Sequence, residues 1–392
     1  MAYRVSGFRA AGVHCGIKRP GALDLALIVS DRTTATAGVF TRNRFPGAPV
    51  TVSRAHLRRG RARAVIVNSG ISNVANGERG LRDARRMTEI AAHELGLRTT
   101  EVLVSSTGVI GRPLPMLRIS SGIPVAVHAL SASGWRAAAR AILTTDKRPK
   151  LAQLELGAAQ LLGIAKGSGM TMPDLATTLV FLVTDLAVEP SFLRRALREA
   201  VEQTFNRLSI DGETSTSDTV LLLANGAAGN RPFGASSSRA KGFKRALTEL
   251  CCELSEKLAA DGEGVSRVAD VVVTGTRANA LAERVARKIA NSLLVKTALF
   301  GADPNWGRVV QTVGAAGVPF KPEELGVRIG GVQLLRRGSP VGGARALQQA
   351  RRAMRKRRVE IAVSLGRGRG SARVLACDLS YEYVRINAEY TT

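Results

Sequence analysis

Short apolar runs and amphipathic stretches take turns along this chain, and that alternation leaves few folds open. LDLALIVSD (Leu23–Asp31), ATAGVFT, APVTVS, RAVIVNSG, EVLVSSTGVIG, TTLVFLV, TVLLLANG and VADVVVTGT have the length and the aliphatic, β-branched content of strands. RGLRDARRMTEIAAHELG, GWRAAARAIL, SFLRRALREAVEQTF, AKGFKRALTELCCELSEKLAA and ANALAERVARKIAN carry apolar residues at helical spacing. Strands and helices interleaved in this way predict a mixed α/β architecture. At 392 residues the chain can bury two or three cores, and with 4% aromatics those cores must be mostly aliphatic. No low-complexity linker divides it. The sharpest internal punctuation is the Gly-rich loop KGSGMTMPDLA, which ends at Ala176.

Several function classes lose support at once. The apolar runs fall far short of the roughly 20 residues a membrane helix needs, and the first residues lack the apolar core of a signal peptide. The expectation is a soluble, cytoplasmic protein. Cys15, Cys251, Cys252 and Cys377 show no CxxC spacing, so they read as reduced structural thiols, and no metal is expected. His14, His56, His93 and His128 sit in no polar or Gly-rich motif, and His56 is read as following a strand; histidine-dependent nucleophilic catalysis therefore lacks its base. A net charge of +26 raises the question of nucleic acid. Its basic runs, Leu57–Arg63 and Arg351–Arg358, have no interleaved aromatics and read as solvated faces.

What remains is the pair of threonines at the mouth of the run TTLVFLVTD. If the Ala176–Thr177 bond is cut, Thr177 gains an α-amine beside its own hydroxyl. Such an amine, with a pKa of about 7.7–8, is partly neutral at physiological pH and can take the hydroxyl proton. The cut itself can come from attack of the Thr177 hydroxyl on the Ala176 carbonyl, an acyl shift followed by hydrolysis. A strand alternates faces, so only one of Thr177 and Thr178 can face a cleft.

KGSGMTMPDLATTLVFLVTD resembles the self-cleaving signature of the ornithine acetyltransferases (glutamate N-acetyltransferases) of arginine biosynthesis. GFRAAGVHCGIK, SSTGVIGRPLP, DGETSTSDTVLLLANG, DGEG, VKTALFGADPNWGR and DLSYEYVRINAEY resemble that family too, in its order and over nearly the whole chain. At Asn68–Gly77 the chain has NSGISNVANG where the family usually has NSGNANACTG. The resemblance implies cleavage between Ala176 and Thr177, with Thr177 as nucleophile and acetyl carrier and Thr107 with Gly108 as oxyanion hole. It implies substrate contacts from Thr144, Lys166, Thr177, Glu263, Asn387 and Thr392. It further implies ping-pong acetyl transfer from N2-acetylornithine to glutamate without a cofactor, acetyl-CoA being a conceivable second donor. The implied fold is an αββα sandwich shared by segments 1–176 and 177–392, with a smaller C-terminal α/β portion, and the implied assembly is α2β2. Two other readings stay open from the residues: an N-terminal-nucleophile amidase or aminopeptidase, and a non-enzymatic basic binding protein on the same scaffold.

Overall fold

A computed structural model describes residues 3–170 and 178–389. The strands are β1 (Phe8–Val13), β2 (Leu25–Phe40), β3 (Arg61–Ile71), β4 (Val102–Val109), β5 (Lys150–Leu156), β6 (Ala159–Lys166), β7 (Leu179–Thr184), β8 (Leu208–Ser209), β9 (Thr219–Ala224), β10 (Val268–Gly275), β11 (Gly326–Ile329), β12 (Val332–Arg336), β13 (Ser339–Pro340), β14 (Arg358–Ser364) and β15 (Gly368–Cys377). The helices are α1 (Ala48–His56), α2 (Gly77–Leu95), α3 (Met116–His128), α4 (Trp135–Ala141), α5 (Pro190–Gln203), α6 (Arg239–Ala260), α7 (Asn279–Ala290), α8 (Leu293–Phe300), α9 (Trp306–Gly314), α10 (Gly343–Met354) and α11 (Tyr381–Glu389).

The larger sheet runs β4-β3-β2-β9-β7-β6-β5, with β1 on β2. Its hinge is β2, whose first part pairs with β3 and whose second part pairs with β9, with an irregularity between Val29 and Thr34. The two halves of the sheet face each other. Ala26 and Ile28 of β2 and Val65 and Val67 of β3 share one buried cluster with Phe181 of β7 and Leu221 and Leu223 of β9. Alternate residues point outward. Leu25, Leu27 and Ile66 pack on Met87 and Ala91 of α2 and Ile119 and Ile123 of α3. On the far side, Val180 and Leu182 pack on Leu193 and Leu197 of α5 and Leu247 and Leu250 of α6. This period-two division places apolar side chains on both faces of each strand, which is why the strand sequences are near-continuous apolar runs. The result is helix, sheet, sheet, helix: the αββα sandwich expected. Each buried leucine or phenylalanine contributes about 1.5–3 kcal/mol of apolar burial.

The smaller C-terminal portion has its own sheet, β13-β12-β11-β14-β10-β15-β8, and its own aliphatic core with α7 to α10. Two readings need correction. APVTVS is not a strand; it forms most of α1, with Pro49 in the first turn where its missing N–H costs nothing. Packing on β4 overrides the β-branched composition: Ser53 Oγ donates to Val104 O (2.6 Å) and accepts from Val104 N (2.8 Å) at this sheet edge. His56 consequently ends a helix, and its Nδ1 lies 2.8 Å from Val102 O on the same edge.

Candidate active site

Six of the expected residues line one cleft: Thr107, Gly108, Thr144, Lys166, Glu263 and Asn387. They come from distant parts of the sequence. Thr107 and Gly108 close β4, Thr144 follows α4, Lys166 ends β6, Glu263 lies in the turn after α6, and Asn387 projects from α11. In the ladder Lys166 stands opposite Leu179, the first residue of β7. The cleft therefore opens where β6 ends and β7 begins. Ala176, Thr177 and Thr392 lie outside the described residues. Thr178 is buried, and its N–H donates to Asp218 Oδ1 (2.8 Å); it does not line the cleft.

At one pole, Lys166 Nζ donates to Thr144 Oγ1 (2.8 Å) and Thr107 Oγ1 (3.1 Å). An ammonium only donates, so the Thr107 oxygen accepts and its own O–H proton stays free for another acceptor. Gly108 is at φ +126°, and a Cβ there would lie 2.3 Å from the Gly70 carbonyl carbon. Only glycine lets the end of β4 lie this close to β3. At the other pole, Glu263 is buried. Its Oε1 accepts from Thr145 Oγ1 (2.6 Å) and its Oε2 from Asn387 Nδ2 (2.9 Å). Both donors are neutral, so the carboxylate charge is solvated without being cancelled. α11 reaches the site because residue 264 has no side chain: a Cβ there would meet Tyr383 N at 2.3 Å.

Burial pushes the Lys166 ammonium below its usual range, against the pull of Asp146. Burial also works against ionisation of Asp146, but Lys166, Lys150 and the Gly167 amide outweigh it and hold that carboxyl below the usual range. No histidine lines the cleft among the described residues. Nor do the described residues include a group of three or more His, Cys, Asp or Glu placed to hold a metal. No described helix is long and apolar enough to cross a membrane. The cleft thus offers two hydroxyls, a cation and a glycine backbone at one side and an uncancelled carboxylate at the other.

A family model described as the ArgJ family matches residues 9–392. The chain belongs to the ArgJ family. It is the family that the motifs resemble. The "Arginine biosynthesis bifunctional protein ArgJ" of Thermus thermophilus is 45% identical, with 100% of each chain covered. Its namesake from Geobacter sulfurreducens is 44% identical over 99% of this chain and 100% of that one. The crystal structure of the ArgJ protein from Bacillus halodurans is 37% identical, with a TM-score of 0.51, covering 54% of this chain and 98% of that one.

Other residues of this ArgJ-family cleft escaped the sequence reading. Ser72, Thr145, Ser215, Thr216 and Ser217 line it as well. Thr145 was adjacent to an expected contact, and the STS run sits in a quoted motif just before β9; a polar run at a strand mouth was the available signal. Asp218 carries a separate consequence. Its side chain is fully buried, Oδ1 holds Thr178 N, and Oδ2 has no hydrogen-bond partner among the described residues. Burial outweighs the Thr178 amide, Lys166 and the nearby Thr41 hydroxyl and raises its pKa well above the usual carboxylate value. Between an unfolded pKa of about 3.9 and the raised folded value, the folded state binds more protons, so this group costs stability as pH rises. Asp218→Asn removes that cost. The melting temperature of the variant relative to the parent is expected to rise by ~2–4 °C or more between pH 4.5 and pH 8. A gap that stays constant across that range would sink the assignment.

Proposed function

We propose that this chain is an acetyltransferase of arginine biosynthesis, acting in the cytoplasm, that cuts itself between Ala176 and Thr177. It then moves acetyl from N2-acetylornithine to glutamate through an acetyl-Thr177 intermediate. The observation that carries this reading is the two-pole cleft at the mouth of β7. Lys166 suits the α-carboxylate of an amino acid, and Glu263, partnered by Thr145 and Asn387, suits an ammonium. Thr177 Oγ attacks the acetyl carbonyl, and its α-amine accepts the hydroxyl proton and returns it to the departing ornithine nitrogen. The Thr107 hydroxyl and Gly108 N–H stabilise the oxyanion, each such donor being worth roughly 3 kcal/mol. Glutamate then takes the place of ornithine, and its amine receives the acetyl group. Thr144 and Thr392 complete the substrate contacts.

In this scheme acetyl-CoA can serve as a second donor, since the acyl-enzyme does not depend on what left, and no cofactor takes part. The segments 1–176 and 177–392 stay together and pair as α2β2. One piece of support is proportional: the Bacillus halodurans chain is matched over 98% of its length by 54% of this one, close to the share that residues 177–392 make up (216 of 392 residues).

The test follows a labelled acetyl group from N2-acetylornithine in the presence of glutamate. Labelled N-acetylglutamate and free ornithine in equal amounts are expected. Labelled acetate in its place would make the protein an amidase, and no turnover would leave the cleft as a binding site only.

A further inference from the structure

Lys166 and Lys150 face the same buried carboxylate at unequal range. Lys150 Nζ lies 2.5 Å from Asp146 Oδ1, whereas Lys166 Nζ lies 4.0 Å from Asp146 Oδ2. Lys150 Nζ also meets Asp261 Oδ2 at 2.5 Å, and that oxygen accepts from the amides of Lys147 (3.0 Å) and Arg148 (3.1 Å). Asp146 Oδ1 takes the Gly167 amide as well (2.9 Å). Both lysine side chains are 2% exposed and Asp146 is at 0%, so water does little to weaken these attractions. Two cations and two carboxylates balance, and Lys150 holds the shorter contacts to both acids. Lys166 meanwhile directs its hydrogen bonds to Thr144 and Thr107.

Remove Lys150, and Asp146 loses its 2.5 Å partner; Lys166 is then the nearest cation, at 4.0 Å, with Lys18 acting on the carboxylate from farther off. An uncompensated buried charge is costly, and the available relief is for Lys166 to close the 4.0 Å gap. That movement takes its ammonium away from the two hydroxyls and from the cleft. Lys150 itself does not line the cleft. Its second anchor, Asp261, opens the turn that carries Glu263, so one cation ties the loop of one pole to the loop of the other.

We infer that Lys150 is a positioning residue: by occupying Asp146, it keeps Lys166 turned toward the cleft and available to the carboxylate of an amino-acid substrate. This rests on the two-pole reading of the cleft as an amino-acid site. Its signature is a rescue that a scaffold role cannot give. Lys150→Met draws Lys166 onto Asp146, and adding Asp146→Asn removes what draws it.

The experiment is calorimetric titration of L-ornithine onto the parent, Lys150→Met, Asp146→Asn and the double variant, with a thermal melt of each. Lys150→Met is expected to weaken binding by about ten-fold or more, and the double variant to return to within about three-fold of the parent. Asp146→Asn alone is expected to bind at least as well as the parent. A double variant no tighter than Lys150→Met, or a Lys150→Met that binds as the parent does, overturns the inference. Should Lys150→Met fail to fold, Asp146→Asn decides: a ten-fold loss of binding there is equally fatal. Binding is read without turnover. A parent that binds ornithine but transfers no acetyl refutes the reaction and leaves the role of Lys150 standing.

Discussion

Thr177→Ala is expected to give one uncut chain of 41.5 kDa where the parent gives two fragments. In the parent, the two masses should sum to the chain plus one water and place the break after Ala176. The reason is atomic. In the proposed cleavage, Thr177 Oγ forms the new ester to the Ala176 carbonyl as the Ala176–Thr177 C–N bond breaks, and water then opens that ester. Alanine has no such oxygen. The neighbouring hydroxyl cannot substitute, because Thr178 is buried, outside the cleft, with its amide held by Asp218. Thr178→Val is accordingly expected to cut as the parent does. Intact mass of denatured protein reads all three chains. Two fragments from Thr177→Ala, or an uncut parent, would remove the nucleophile from the proposed function.

The second large effect belongs to Thr107→Val, which keeps shape and deletes one hydroxyl. Because Thr107 Oγ1 accepts from Lys166, its proton is polarised and, in the proposed mechanism, left to donate to a developing oxyanion. Loss of one such donor lowers kcat by about 10²–10³. Thr144→Val is the matched control: it too removes an acceptor of Lys166 (2.8 Å), but one proposed to contact substrate and not the oxyanion. Its expected effect is on KM, with kcat little changed. Steady-state kinetics on both variants separates the two roles. A Thr107→Val enzyme with parental kcat would place the oxyanion elsewhere.

Central strands of the larger sheet were readable because they are buried on both faces, so TTLVFLV and TVLLLANG declare themselves without needing alternation. α2, α5 and α7 were readable from apolar stripes. α1 was not, since APVTVS has strand composition and becomes helical only through its seat on the β4 edge, a tertiary fact. Nor did period or propensity show that LDLALIVSD and ATAGVFT are two parts of one strand; the irregularity between them lies within β2. At the site, motif likeness brought Lys166, Glu263 and Asn387 forward, and the fold puts them on one cleft. Lys150 and Asp146 stayed silent. Their part depends on the difference between 2.5 Å and 4.0 Å, and no spacing along the chain encodes a distance across it.

The order β4-β3-β2-β9-β7-β6-β5 sets β9 and β7, which follow residue 177, between β2 and β6, which precede it. Six residue pairs close each seam, Ala35–Phe40 with β9 and Leu161–Lys166 with β7. A protein severed at residue 176 is therefore dovetailed, its later piece gripped from both sides by its earlier one. The joint can be assembled while the chain is continuous, and heat or denaturant that pulls it apart leaves two strangers that must find each other by diffusion. Maturation would thus make folding a one-time event, with the cut molecule protected by the height of its unfolding barrier more than by an equilibrium it can revisit.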